Sequence, residues 1–117
     1  MVGRVNSGGG LGKLVTAYAE KSVPARPDPP EATYVTLTCD FDPLVIATAG
    51  PSYNASTGTS DAAYRLNKKD SWIAAYNQYG GSIKSISISG RTITAGPFNG
   101  HMNYDTTAYL RAWGLPD

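Results

Sequence analysis

The chain has 117 residues, of which 16% are charged, and its formal net charge at pH 7 is +1. This length is enough for one domain with a modest core, and the near-neutral charge gives no electrostatic footprint for nucleic acid or an anionic membrane. The single cysteine, Cys39, excludes an internal disulfide framework and a cysteine-based metal site.

The chain opens with a glycine-rich arm, residues 1–12. The arm contains no apolar stretch of the kind that a secretory signal requires, so we expect synthesis in the cytoplasm without a signal peptide. A glycine-rich end is ordered only when it packs on something, either a neighbouring subunit or its own domain. We expect Val2, Val5 and Leu11 to anchor this assembly arm.

A strand and a connector follow the arm. Residues 13–21 contain Val15, Thr16 and Tyr18, which favour a strand over the alternative of a short helix. Four prolines within 24–30 exclude a helix there and favour a stiff spacer over a ligand for an aromatic groove. The predicted organisation is an arm, then a strand with its connector, then a β-domain: 1–12, 13–30 and 31–117.

The β-domain begins with two predicted strands. Residues 32–41 alternate between apolar and polar side chains, and 44–48 form a short, nearly continuous apolar run. Residues 50–60 predict a polar loop. The apolar face of the first of these strands consists of Val35, Leu37, Cys39 and Phe41.

The segment 61–79 is ambiguous. Several alanines and a leucine allow a short helix or strand at 61–66, whereas the polar stretch 67–71 is typical of a turn. We favour a turn followed by a strand at 72–76, and keep one short helix within 61–79 as the alternative.

The clearest local pattern is a hairpin over 82–95, in which isoleucine alternates with serine or threonine. Gly90-Arg91 fits a two-residue loop better than Ser89-Gly90, because glycine supplies the positive φ that a type II′ turn needs first. This register predicts two apolar cross-strand pairs: Ile88 with Ile93, and Ile86 with Ala95.

After the hairpin, residues 96–103 predict a second long loop, and 106–113 predict a closing strand. That strand carries Ala108, Leu110 and Ala112 on one face. The count of about six or seven short strands separated by turns predicts a mainly β fold, an antiparallel sandwich or barrel.

Side chains that could carry catalysis or hold a metal are few. His101 is the only histidine and lies four residues before Asp105. Without a Gly-x-Ser-x-Gly elbow, we expect it at a surface or interface, with a Ser-His-Asp site as the alternative. Asp40 and Asp42 stand at strand spacing, but no Asp-rich loop supplies further ligands for Ca²⁺. We assign no catalytic residue, no metal ligand and no cofactor.

Aromatic side chains are the remaining functional signal. The chain has eight tyrosines and only two phenylalanines. Tyrosine has an apolar ring and a hydroxyl that can face water, a combination that is common at interfaces. We expect some to be core and others to contact a protein or glycan surface. The candidate binding aromatics are Tyr53, Phe98, Tyr104, Tyr109 and Trp113.

Two short stretches resemble parts of an immunoglobulin domain. Residues 35–39, VTLTC, resemble the second strand of that fold, and 105–109, DTTAY, resemble its tyrosine corner. The position of the second cysteine is taken by Arg111, so the pattern fails there. The resemblance implies an immunoglobulin-like or fibronectin-like sandwich, and it implies no function.

In composition the chain resembles minor structural proteins of tailed-bacteriophage particles: a small, neutral β-domain with a glycine-rich arm and a proline-rich connector. This resemblance implies a non-enzymatic structural protein, such as a capsid decoration, tail or fibre component, incorporated in a virion as a homo-oligomer. Its expected partners are copies of itself and other structural proteins. The alternatives are a carbohydrate- or receptor-binding module that recognises a host glycan, and, third, a small hydrolase; no nucleic acid partner and no membrane insertion are expected.

Overall fold

The computed structural model of the chain describes residues 14–25, 32–77 and 85–116. Within these ranges the chain forms eight β-strands and no helix. The strands are β1 (Val15–Val23), β2 (Ala32–Thr38), β3 (Pro43–Ser52), β4 (Ala55–Tyr64), β5 (Ile73–Asn77), β6 (Ile86–Ser89), β7 (Thr92–Asn99) and β8 (Thr106–Gly114). In the same ranges, no helix has the length and apolar character that crossing a membrane requires.

The strands form two antiparallel sheets, one of five strands in the order β1-β8-β3-β4-β5 and one of three in the order β2-β7-β6. The predicted mainly β, antiparallel sandwich is therefore confirmed. Eight strands are present in the described ranges where about six or seven were expected. The short helix considered within 61–79 is not formed in its described part, since β4 continues to Tyr64 and β5 covers Ile73–Asn77.

The β6–β7 hairpin has the predicted register. Ile86 pairs with Ala95 and Ile88 pairs with Ile93. Gly90 has a φ of +62°, and no described non-glycine residue has a positive φ. This pattern is that of a type II′ turn rather than type I′, which needs a positive φ at both central residues.

The core lies between the two sheets. The predicted apolar faces of 32–41 and 106–113 both point inwards, because residues two apart share one face of a strand. Each fully buried large apolar side chain stabilises the fold by about 1.5–3 kcal/mol relative to exposure. The core residues are Val23, Val35, Leu37, Cys39, Phe41, Ile46, Ile93, Ala95, Phe98, Ala108, Leu110 and Ala112.

Phe98 joins the two sheets, and this corrects its prediction as an exposed binding aromatic. Its side chain is 0% exposed. A Cβ at Gly50 on β3 would lie only 2.3 Å from Phe98 Cδ1, so the ring packs directly on the glycine backbone of the opposite sheet. Phe98 is therefore a core residue, and Gly50 is the residue that allows this close approach.

The residues predicted as a polar loop, 50–60, belong mostly to the β3–β4 hairpin, so that prediction is wrong. β3 ends at Ser52 and β4 begins at Ala55, with a two-residue turn between them. Small and polar side chains hide the strand period here, whereas backbone pairing needs no apolar side chain. On the inward face of β4, Asp61 is buried and accepts hydrogen bonds at 2.8 Å from the backbone N–H and the hydroxyl of Ser85.

The second predicted loop, 96–103, is strand as far as Asn99. The pairing of β2 with β7 shifts register between Thr33 and Val35, which leaves one extra residue on β7. Such a bulge tolerates Pro97, because a residue outside the regular ladder needs no N–H. The strand therefore continues through a Gly-Pro pair that normally indicates a loop.

β1 belongs to the five-stranded sheet, where it pairs with β8 over all nine of its residues. The predicted boundary at residue 30 therefore lies within one fold, because β1, which precedes it, belongs to the same sheet as strands that follow it. Val15, Ala17 and Ala19 pack against the core, whereas Tyr18 is exposed. The assembly arm, with Val2, Val5 and Leu11, and most of the proline-rich connector lie outside the described residues.

The stretch that resembles an immunoglobulin tyrosine corner, residues 105–109, leads into β8 of the five-stranded sheet. However, Tyr109 is 44% exposed on the outer face of its sheet. It does not form the buried tyrosine corner that the residues at 105–109 resemble.

Candidate interaction surface

The outer face of the five-stranded sheet, called here the five-strand face, carries three cross-strand rows of side chains. Antiparallel registers place directly paired residues side by side on one face. Row 1 is Thr16, Trp113, Val45, Tyr64 and Ile73; row 2 is Tyr18, Arg111, Ala47 and Ala62; row 3 is Glu20, Tyr109, Ala49 and Ser60.

Row 1 is an exposed apolar ridge. Val45, Tyr64 and Ile73 are each between 37% and 46% exposed. The ridge also forms one wall of an apolar cavity of about 480 Å³, which four leucines and Arg65 line as well. Contiguous apolar surface of this kind marks interaction sites on water-soluble domains. The leucines are Leu14, Leu44, Leu66 and Leu115.

Rows 2 and 3 form a depression across β3 and β4. Its floor consists of small side chains: Ala47, Ala49, Ala62 and Ser60. The part of the depression next to β8 has a volume of about 340 Å³ and is bordered by the rings of Tyr18, Tyr109 and Trp113. Because large rings stand beside alanines, the face is uneven, and side chains of another surface can fit into the depression.

Contacts on the face itself hold Tyr18 in position. The Tyr18 hydroxyl donates a 2.7 Å hydrogen bond to Glu20, and this bond to a carboxylate is the main reason that the pKa of Tyr18 is raised. The Arg111 guanidinium lies 4.6 Å from the Tyr18 ring centroid, and the Tyr109 ring lies 6.5 Å away. Contacts within the face thus hold the aromatic edge of the depression in place.

The other predicted aromatics lie at the opposite end of β8. Tyr53 is in the β3–β4 turn, and its carbonyl accepts a 3.0 Å hydrogen bond from the Met102 N–H. Tyr104, 52% exposed, stacks on His101 with a centroid distance of 4.0 Å. These two tyrosines form a loop surface separate from Trp113 on the five-strand face.

His101 is 5% exposed within its own domain, which corrects the expectation that it lies at a surface or interface. Its Nδ1 accepts a 3.0 Å hydrogen bond from the Asn103 N–H, which leaves the proton of the neutral ring on Nε2. Asp105, the acid considered as its partner, accepts a 2.9 Å bond from the Ala25 N–H. These contacts give His101 and Asp105 roles in fixing the loop and the end of β1.

Asp42 forms an ion pair rather than half of a Ca²⁺ site. Arg91 contacts its two carboxylate oxygens at 3.2 and 3.3 Å, and Lys68 lies at 3.7 Å. The hydrogen bond from Arg91 is the main reason that the pKa of Asp42 is lowered. In the described part of the chain, no group of three or more His, Cys, Asp or Glu side chains could hold a metal ion.

Of the predicted binding aromatics, Tyr109 and Trp113 lie together on the five-strand face. The prediction from the sequence missed Val45, Tyr64 and Tyr18 as members of the same surface. The pairing registers, which single-strand patterns do not contain, place them there. One feature of the sequence could have indicated that Tyr18 is exposed. It alternates with small residues in a segment that Val15 and Thr16 predicted to be a strand.

The face is the principal guide to function, because comparisons give no other. No protein-family model, no curated protein and no solved structure matches the chain. What the geometry defines is a β-sandwich with one exposed apolar and aromatic sheet face.

Proposed function

We propose that the protein is a non-enzymatic structural subunit that works through contacts with copies of itself and with other structural proteins. The single observation that carries this proposal is the five-strand face. Its ridge of exposed apolar side chains and its aromatic-edged depression lie on a sheet whose opposite side already supplies the core. Burial of apolar area stabilises association by about 25 cal/mol per Å² before the costs of association.

The chemistry of the face supports protein contact. Trp, Tyr and Arg are the residues enriched at the energetic centres of protein interfaces, and charged residues are depleted there. Trp113, Tyr109 and Arg111 stand together on β8. Arg111 and Glu20 are the charged residues of the three rows, and both are engaged with Tyr18.

The setting we propose is a phage particle, in which the chain is a capsid decoration, tail or fibre component. The support is compositional: a small, near-neutral, turn-rich chain that begins with a glycine-rich arm. In this proposal the arm provides a second contact with a neighbouring subunit through Val2, Val5 and Leu11.

Light scattering tests the proposal on the full-length chain beside a version lacking residues 1–12, at several concentrations. We expect a defined oligomer for the full-length chain and a smaller, folded species for the truncation, with circular dichroism to confirm its fold. A full-length chain that neither self-associates nor incorporates into particles assembled from the other structural proteins would contradict the proposal.

A second candidate function is carbohydrate binding. The observation that favours it is the 340 Å³ depression bordered by Tyr18, Tyr109 and Trp113, because exposed aromatic rings beside a depression can stack on the apolar face of a sugar. A glycan array separates the candidates: a glycan binder retains specific binding as a monomer and loses it in Tyr109→Ala. A hydrolase, the third hypothesis, requires activity that His101→Ala abolishes.

A further inference from the structure

We propose that the five-strand face packs on the same face of a second copy of this chain, related by a two-fold axis. This inference rests on the proposed function and specifies its partner and register. A two-fold interface uses one surface patch on both subunits, so the patch must be complementary to itself. The rows of the face meet this requirement.

The complementarity follows from the order of large and small side chains along the strands. Row 1 is a ridge, and row 2 is low at its centre, where Ala47 and Ala62 lie. Row 3 is high again at Tyr109. At the end of the face beside row 1, the 480 Å³ cavity is lined by Leu14, Leu66 and Leu115, together with Arg65 and side chains of row 1 itself.

A two-fold axis that crosses the strands between rows 1 and 2 matches these features. It places row 1 of each copy over row 2 of the other, so that Val45 lies on Ala47 and Tyr64 lies on Ala62. The same rotation carries row 3 over the leucine cavity, which receives the Tyr109 ring. A cavity of this size is in the range of about 300–1,000 Å³ that accommodates bound groups.

The same register gives Arg111, the cation at the centre of the face, an aromatic partner in the other copy. Arg111 in row 2 comes under Trp113 in row 1 of the other copy, because the two residues are two apart on β8. A guanidinium over an indole ring gains cation–π energy, most when both are removed from water. No like charges meet, since row 1 contains no charged side chain, and the row 3 acid, Glu20, comes over the end of the face where the cavity lining contains Arg65.

The area is sufficient for a stable pair. Row 1 spans five strands, and rows 2 and 3 and the four leucines of the cavity span four each; one position covers about 4.8 Å between strands and about 6.7 Å between rows. The total is about 550 Å² per copy, or about 1,100 Å² for the pair. A specific interface needs about 1,000 Å² in total.

A charge-swap experiment tests both the partner and the register. Val45→Asp and Ala47→Lys are made separately in the full-length chain, and molar mass is followed against concentration by sedimentation equilibrium. We expect each variant to weaken self-association by about 100-fold or more, since each buries an unpaired charge. Mixing the two variants should restore a heterodimer, because the carboxylate introduced by Val45→Asp in one chain then meets the ammonium introduced by Ala47→Lys in the other.

Matched controls lie on the opposite sheet, where Thr36 and Thr94 are a cross-strand pair on the outer face. Thr36→Asp and Thr94→Lys should leave self-association unchanged, and circular dichroism checks that all four variants fold. The inference is wrong if the wild-type chain is monomeric throughout, if Val45→Asp associates like the wild type, or if mixing restores nothing.

The outcomes also separate this inference from the proposed function. An oligomer that is insensitive to Val45→Asp and Ala47→Lys but abolished by deletion of residues 1–12 would overturn the face-to-face pair and leave the structural role standing. An oligomer that persists without the arm and is lost in Val45→Asp supports the pair directly.

Discussion

The two sheets present outer faces of opposite character. The three-stranded sheet has an outer face of hydroxyl side chains, with Tyr34 at one end. Its hydroxyls partly satisfy one another, as in the 3.1 Å contact between Thr38 and Thr92. The five-strand face instead exposes Tyr109 and Trp113 beside alanines. The residues of this hydroxyl face are Thr36, Thr38, Ser87, Ser89, Thr92 and Thr94.

The comparison shows which part of the sequence serves the fold and which does not. Both sheets contribute apolar inner faces to one core, and the fold requires these. The hydroxyl face shows that an outer face of this sandwich is stable without large apolar side chains. The fold therefore does not require the rings of the five-strand face, and the proposed contact with a second copy would use them.

The largest effect should come from breaking the contact that joins the two sheets. Phe98→Ala removes a fully buried ring over Gly50 and should lower the free energy of unfolding by about 3–5 kcal/mol. Urea denaturation measures this loss, with Phe98→Leu as a milder control. A loss below about 1 kcal/mol would show that the ring is not the joint between the sheets.

The next effect should come from the polar link between β4 and Ser85, which precedes β6. Asp61→Ala leaves the buried N–H and hydroxyl of Ser85 without their acceptor, a loss of about 1–3 kcal/mol in the free energy of unfolding. Asp61→Asn, which keeps one acceptor oxygen, should recover part of it. Equal stability of Asp61→Ala and wild type in chemical denaturation would contradict this assignment.

Replacing one tyrosine on each outer face tests directly whether the two faces differ in their contribution to self-association. Tyr109→Thr and Tyr34→Thr start from similar exposure, 44% and 50%. Each should change the free energy of unfolding by less than about 1 kcal/mol. Only Tyr109→Thr should weaken self-association, as measured by sedimentation. If both variants weaken it equally, the two faces do not differ in function.

The smallest effect should be the acid dependence of the Asp42–Arg91 pair. Arg91 holds the pKa of Asp42 below its ordinary value of 3.8, so the pair stabilises the fold above pH 3.8. That contribution is lost as the pH falls through the lower, folded value. The melting temperature of Asp42→Asn should approach that of the wild type in this acid range, and a constant difference at all pH values would exclude the linkage.

Side-chain alternation predicted the hairpin at Gly90 and the inward faces of β2 and β8, because apolar residues mark the core side of a strand directly. It could not predict β4, where serine, threonine and glycine pair through the backbone and Asp61 is buried by its bonds to Ser85. The prediction that Phe98 is exposed was wrong because 96–103 was interpreted as a loop. The bulge that lets β7 continue to Phe98 depends on the pairing with β2, which the sequence of β7 alone does not contain.

The candidate site was predictable only in part. Tyr109 and Trp113 are visible as aromatics on one strand face, at a spacing of four residues. The rows that join them to Val45 and Tyr64 depend on which strands pair and in what register, and tertiary pairing decides this. A property of paired strands is therefore the central feature of the proposal.

Oxidative footprinting of the assembled and the diluted full-length chain tests the central claim most directly. Tyr109 and Trp113 report on the five-strand face, and Tyr34 reports on the hydroxyl face. We predict that assembly slows oxidation of Tyr109 and Trp113 and leaves Tyr34 unchanged. Protection of Tyr34 with continued oxidation of Tyr109 and Trp113 would contradict the account.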